Sequence, residues 1–270
     1  MTFEQQGYLS DDVQEMERII RDLFGHSFHT SLQVNALAHT ILKEAFVDSE
    51  DIQQVLAACL LMRLLDGHQS IHILCSKGLT VCSKVILRSN VEALVLLKYV
   101  AASKDNLQHY VASDQLQRKK WLNIVLNDKS KAFSDELRKG ISEQMLMDID
   151  NSINELGASD LKIEQLASRV GLNELYQTAY RMLSYDVHVL PRSLEKYWVL
   201  NEAEEVVAMN FTPKNEDILE VIVPSMATII NALDCYATLL GIHAKYELRL
   251  SEAQAAISQI GTEPTAGKHE

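Results

Sequence analysis

TVCSKVILRSNVEALVLLKYVAA, residues 80–102, is the stretch on which the fold turns. Projected at 100° per residue, its apolar side chains lie on nearly every side instead of forming one stripe, the mark of a helix enclosed by others. Neither Gly nor Pro interrupts it. It is therefore expected to run unbroken from Thr80 to Ala102 as the buried central helix of an all-α protein. Arg88, Glu92 and Lys98 within it argue against a membrane span. Arg88 and Glu92 stand four apart and so share a side. Burying either charge unpaired costs several kcal/mol, so the pair must meet further polar groups from elsewhere in the chain.

Working outward, the composition is that of a helical protein. The chain is 47% hydrophobic with only 10 Gly and 4 Pro, and the prolines (191, 213, 224, 264) all fall in the last third. About ten helices are expected. One runs from Asp11 or Asp12 to Phe24, and one from Ser27 or Thr30 through Phe46. Another follows the "DSED" cap and ends at Asp66–Gly67, and a short one is closed by Gly78. Beyond the central helix come two polar ones, about 105–126 and 130–156. Then follow a short helix holding "QLASRVGL" and a second one after it, a further helical stretch from Pro191 to about Val207, a loop "AMNFTPKNE", and a last long helix from about Glu216 to Ala255. Pro224 near its start is tolerated or bends it. The domain reading is an N-terminal helical pair over 1–47 packed on a core domain over 48–260, with a disordered tail at 261–270.

Charge and cysteines bound the function. A net charge of −12 opposes adhesion to nucleic acid or anionic lipid. Cys59, Cys75, Cys82 and Cys235 show no CxxC pairing and sit in apolar helical patterns, which reads as buried thiols in a reducing compartment. With no signal-peptide pattern at the start, a cytoplasmic protein without a membrane partner is expected. One basic concentration stands out: Arg118, Lys119, Lys120, Lys129, Lys131, Arg138 and Lys139. Interleaved acids make it a solvated face, or else a surface for RNA or a partner. "QLASRVGL" followed by a second helix has the outline of a DNA-reading helix-turn-helix. That second helix shows Tyr, Leu and Met instead of donors and phosphate-neutralising charges, so DNA is not expected as a partner.

The polar groups owed to the central helix are best supplied by "NELYQTAYRMLSYDVHVLP", residues 173–191. Taking His188 as zero, Arg181 and Ser184 project at about +20° and −40°, one narrow face with Tyr180 at its edge. Convergence of Arg88 or Glu92 with Arg181, Ser184 or His188 is the expectation. The group is either a site or a hydrogen-bonded core stripe. Ser184 can bond back to the Tyr180 carbonyl, and His188 before "VLP" can brace a helix end. His68, His72 and Cys75 share another helical face, a spacing that metal sites use. No second ligand pair supports it, and a helical metal hydrolase would need His68, His72 and Glu92 to converge, so no metal or other cofactor is expected. There is no phosphate loop, G-x-S-x-G or HExxH.

The motifs "ILRSNVEALVLLKY" and "LASRVGLNELYQTAYRMLSYDVH" resemble those of a widespread bacterial family of all-helical proteins of unknown function. Arg88 and Glu92 match its first motif, and Tyr180, Ser184 and His188 its second, over about 60–255. The resemblance implies a fold and no reaction. Arg181 and His188 are also similar in spacing to the Arg-x(4–6)-His motif of HEPN-type domains, helical units of bacterial toxins and antiphage effectors that often cut RNA without metal. That resemblance implies His188 as proton shuttle, Arg181 as the cation facing the phosphoryl transition state, and single-stranded RNA as substrate. Met182 departs from the motif, which usually has a polar residue there. The alternative is a non-catalytic interaction or scaffold protein whose polar cluster fixes helix register. The apolar last helix further suggests a homodimer, through that helix or the one at 105–126.

Overall fold

A computed structural model describes residues 2–130, 132–213, 215 and 217–260. Its helices are α1 (Phe3–Gln6), α2 (Val13–Leu23), α3 (Gly25–Glu44), α4 (Ile52–Ser76), α5 (Thr80–Ala102), α6 (Lys104–Asn127) and α7 (Asp135–Gly140). They continue with α8 (Glu143–Glu155), α9 (Ile163–Arg169), α10 (Asn173–Leu175), α11 (Arg181–Val187), α12 (Pro191–Leu194), α13 (Ile218–Leu239) and α14 (His243–Ile260). Among the described residues the sole sheet is one antiparallel pair, β1 (Trp198–Leu200) and β2 (Val206–Met209), so the protein is all-α. The tail expected at 261–270 lies outside the described residues.

α5 is the central helix, with the ends read from the sequence. It packs on α4, α13, α11, α6 and α9, and Leu94, Val95, Leu97 and Val100 retain no exposed surface. The end expected at Asp66–Gly67 is corrected. α4 runs straight through Gly67 to Ser76, because the missing side chain at 67 is filled by Asn90 of α5. A Cβ there would stand 2.1 Å from Asn90 Oδ1. Asn90 is buried and donates from Nδ2 to the Leu64 carbonyl at 3.1 Å. Gly67 is thus a helix–helix contact and not a stop. Asp51 caps the start of α4 by accepting from the amides of Gln53 and Gln54, and Gly78, at φ 73°, ends the turn that follows it.

Other boundaries differ for local reasons. The expected helix over 130–156 is divided into α7 and α8, each started afresh by a serine cap, Ser134 and Ser142. The expected helix after Pro191 stops at Leu194 and gives way to a 3₁₀ turn and the hairpin. The run Trp-Val-Leu and the run Val-Val-Ala-Met favour strands. The side chain of Asn201 folds the turn between them by accepting from the amides of Ala203 and Glu205. The last helix is two, separated at Gly241, whose φ of 69° closes α13; its expected start at Glu216 lies outside the described residues. Pro224 is accommodated inside α13.

One core joins the N-terminal and C-terminal parts. Val34, Ala38 and Ile41 of α3 meet Leu61 and Leu64 of α4, Leu94 and Leu97 of α5, Ile229 and Leu233 of α13, and Leu250 of α14. α13 is long and apolar enough to cross a membrane, but over half of that apolar stretch is buried inside the protein. Its apolar face, read in the sequence as surplus for a second copy, is spent on α3, α4, α5 and α14 of its own chain.

Candidate functional site

Four of the six side chains picked out by the sequence converge between α5 and the segment 176–187. The hydroxyl of Tyr180 donates to Glu92 Oε1 at 2.6 Å and accepts from Arg88 Nη2 at 2.8 Å. Arg88 Nε donates to Ser184 Oγ at 3.2 Å, and Ser184 Oγ donates in turn to the Tyr180 carbonyl at 2.8 Å. Arg88 Nη2 lies 3.4 Å from Glu92 Oε1, and its guanidinium stands 4.8 Å from the centroid of the Tyr180 ring. The side chains of Arg88 and Glu92 keep 20% and 33% of their surface exposed, so their attraction is partly screened by water and the hydroxyl bridge matters more than the charges alone. Burial, with the Glu92 carboxylate second, pushes the Tyr180 hydroxyl up to about 12. Tyr180 is therefore a donor at physiological pH and not a base.

Local backbone explains why Tyr180 reaches α5. Residues Tyr176–Tyr180 form a π-helical turn that stacks the rings of Tyr176 and Tyr180 at 4.8 Å. From Tyr180 onward the inward line is Tyr180, Leu183, Ser184 and Val187, all within about 60° of one another's mean direction. Arg181 and His188 project about 100° and 80° from Tyr180, on the flank of that line. Arg181, Ser184 and His188 do share the narrow face expected of them, but only its Ser184 edge turns toward α5. Arg181 is exposed and donates to Gln177 Oε1 at 2.9 Å. His188 caps the helix with its amide on the Ser184 carbonyl, and its exposed ring has no hydrogen-bond partner among the described residues. Val189 then takes φ 48°, turning the chain away. Arg181 and His188 share a solvent-facing strip.

The histidines on α4 serve another contact. His68 is 1% exposed and hydrogen-bonded at both ring nitrogens, Nδ1 with Ser225 Oγ at 2.8 Å and Nε2 with Ser31 Oγ at 3.3 Å. His72 Nδ1 meets the same Ser31 oxygen at 2.9 Å. Burial lowers His68 to about 4, and burial followed by Arg21 lowers His72. Cys75 lies against Ser83, its thiol pushed up to about 11 by burial. His68, His72 and Glu92 do not converge, since Glu92 is turned to Tyr180, and no group of three metal-binding side chains gathers among the described residues. Ser31 and Ser225, which tie His68 between α3 and α13, carried no signal in the sequence.

Three residues of the basic segment are paired with acids: Lys119 with Asp150, Lys120 with Asp160 at 2.8 Å, and Arg138 with Asp128 at 3.0 Å. Lys131 lies outside the described residues. In the helix-turn-helix outline, Leu172, Leu175 and Tyr176 pack inward.

A central buried helix braced by a hydrogen-bonded Arg-Tyr-Glu-Ser seam to a second, irregular helix defines a class of all-α protein in which the motif residues themselves hold the fold. The chain belongs to a family of unknown function, DUF5677, whose model matches residues 54–205. The match begins near the start of α4 and stops inside the hairpin turn, short of the end at about 255 that the motifs suggested, so α13 and α14 complete the core from outside it. No curated protein and no solved structure matches the chain.

Proposed function

We propose that the protein is a helical interaction module, and that it associates with a second copy of itself through the β1–β2 hairpin and the adjoining flank of α11. The observation that carries this is the hairpin. Trp198, Val199, Leu200, Val206, Val207 and Met209 are 39% to 63% exposed, and among the described residues no helix packs extensively on the ribbon. A lone two-stranded ribbon is marginal in water, and its unpaired edges invite another chain. Met182, Tyr185 and Val189 extend the apolar surface onto the α11 flank. The polar seam supports the same reading, because its groups are consumed by one another and brace the helix that presents this surface. Unpaired cysteines fit a cytoplasmic setting. Sedimentation equilibrium at micromolar concentration is expected to give a dimer mass. Val207→Glu combined with Met209→Glu is expected to give a monomer with unchanged helicity, and a wild-type monomer throughout the micromolar range would reject the proposal.

One observation favours a second reading, a metal-independent HEPN-like ribonuclease of toxin or antiphage type. Arg181 and His188 lie exposed on one strip beside the proposed contact, so that two copies would bring two such pairs together. His188 would take the 2′-hydroxyl proton as that oxygen attacks phosphorus, and the imidazolium would return a proton to the departing 5′-oxygen. Arg181 would hold the charge on the phosphoryl oxygens. Single-stranded RNA cut in the presence of EDTA, and cut about 10²–10⁴-fold more slowly by His188→Ala, is the expected result. No cleavage by the wild type at any salt concentration would exclude it.

A further inference from the structure

A cavity of about 350 Å³ lies where the amino end of α5 meets the base of the hairpin. Its volume falls in the range of small-molecule sites. Tyr8, Tyr197 and Phe211 line it with aromatic surface, and Thr80, Val81 and Cys82 line it from the first turn of α5.

That wall carries donors that nothing among the described residues accepts from. α5 has no side-chain cap, and the amides of Thr80, Val81 and Cys82 make no hydrogen bond among the described residues. Thr80 is only 3% exposed, yet it lines the cavity and its hydroxyl has no hydrogen-bond partner among the described residues. The Tyr8 hydroxyl makes one long contact, 3.5 Å, to the Gly78 carbonyl. Burial, with Tyr197 and Cys82 after it, raises the Tyr8 pKa, which keeps it a donor. Asn210 is occupied by Thr212, and Lys196 is paired with Asp186. Among the described residues no carboxylate lines the cavity. Orphan amides at the positive end of a 23-residue helix, the hydroxyl of a buried threonine and a phenol therefore face an aromatic-walled space with no carboxylate among its described lining residues.

We infer that this cavity binds a small organic anion with a planar aromatic body, the anionic group on the amides of Thr80–Cys82 and the Thr80 hydroxyl, and the ring against Tyr8, Tyr197 and Phe211. The anion supplies the acceptors that the α5 terminus lacks. The aromatic walls supply the apolar contact.

Cys82 makes the site measurable, since it is exposed and lines the cavity, whereas Cys59, also exposed, does not line it. Full-length protein is alkylated with N-ethylmaleimide and each cysteine peptide is followed by mass spectrometry, with 2-naphthoate as probe and 2-naphthalenemethanol as its neutral counterpart. 2-Naphthoate is expected to slow alkylation of Cys82 and leave Cys59 unchanged. The alcohol should need about tenfold more for the same protection, the worth of a charge-assisted hydrogen bond. Thr80→Val should raise the naphthoate concentration for half-protection about tenfold, with Thr80→Ser restoring it. Phe211→Ala, at a residue 61% exposed and therefore safe for folding, should weaken both probes alike. Equal protection by acid and alcohol, equal slowing at Cys59, or an unchanged Thr80→Val protein would each overturn the assignment.

Discussion

Replacing Gly67 with Ala puts the close approach of α4 and α5 to the test. The added methyl would stand 2.1 Å from Asn90 Oδ1 and 2.7 Å from its Cγ, so α4 and α5 must part or Asn90 must leave its place. Overpacking of this kind costs about 1–3 kcal/mol, and loss of the bond from Asn90 to the Leu64 carbonyl adds about 1 kcal/mol. Removing a mid-helix glycine returns about 1 kcal/mol, for a net loss of about 1–3 kcal/mol. At this chain length that lowers the melting temperature by about 2–12 °C. The decisive variant is the pair Gly67→Ala with Asn90→Ala, which removes the obstructing amide. Asn90→Ala alone should cost about 1 kcal/mol, because the Leu64 carbonyl keeps its helical amide partner. The double variant should then lie within about 1 kcal/mol of that single one, a coupling that only direct contact produces. Urea unfolding followed by circular dichroism measures all three. If Gly67→Ala melts with the wild type, or if the two losses simply add, the contact does not set the spacing of these helices.

Three further outcomes are expected. Tyr180→Phe removes the hydroxyl that bridges Arg88 and Glu92 and should destabilise by about 1–2 kcal/mol, discounted for the partial exposure of both ions, as measured by urea unfolding. His68 has its folded pKa lowered to about 4 from 6.5. The unfolded chain therefore binds the proton first as pH falls, and stability present above pH 6.5 should decline by about 3 kcal/mol toward pH 4. His68→Gln should flatten that slope in a thermal-melt series. Asp51→Ala, which strips the cap from α4, should cost about 1 kcal/mol with no change in oligomeric mass.

The central helix was legible because its signal is redundant: twenty-three residues without a breaker and apolar on nearly all sides. The meeting of Arg88 and Glu92 with Tyr180 and Ser184 was legible for a related reason, since a charge on a buried helix obliges a partner and the chain offers few. Arg181 and His188 misled because a wheel drawn from His188 fixes which residues share a strip and says nothing about which way the strip faces. Gly67 misled because a glycine looks alike whether it ends a helix or admits a neighbour, and only the residue across from it, Asn90, decides. The hairpin was hidden by a preceding proline that starts helices well, and the break at Gly241 by apolar residues on both sides of it. The links of His68 to Ser31 and Ser225 join residues 37 and 157 positions apart, beyond the reach of any local pattern.

The placement of α13 sets a timetable for synthesis. α4 and α5 are neighbours in sequence and can pair as soon as both have emerged. Yet the faces of Leu61, Leu64, Leu94 and Leu97 are closed only when Ile229 and Leu233 arrive, far later in the chain. At ordinary translation rates that leaves a greasy helical hairpin uncovered for about ten seconds. For that interval the nascent chain is a client for whatever shields apolar surface at the ribosome exit.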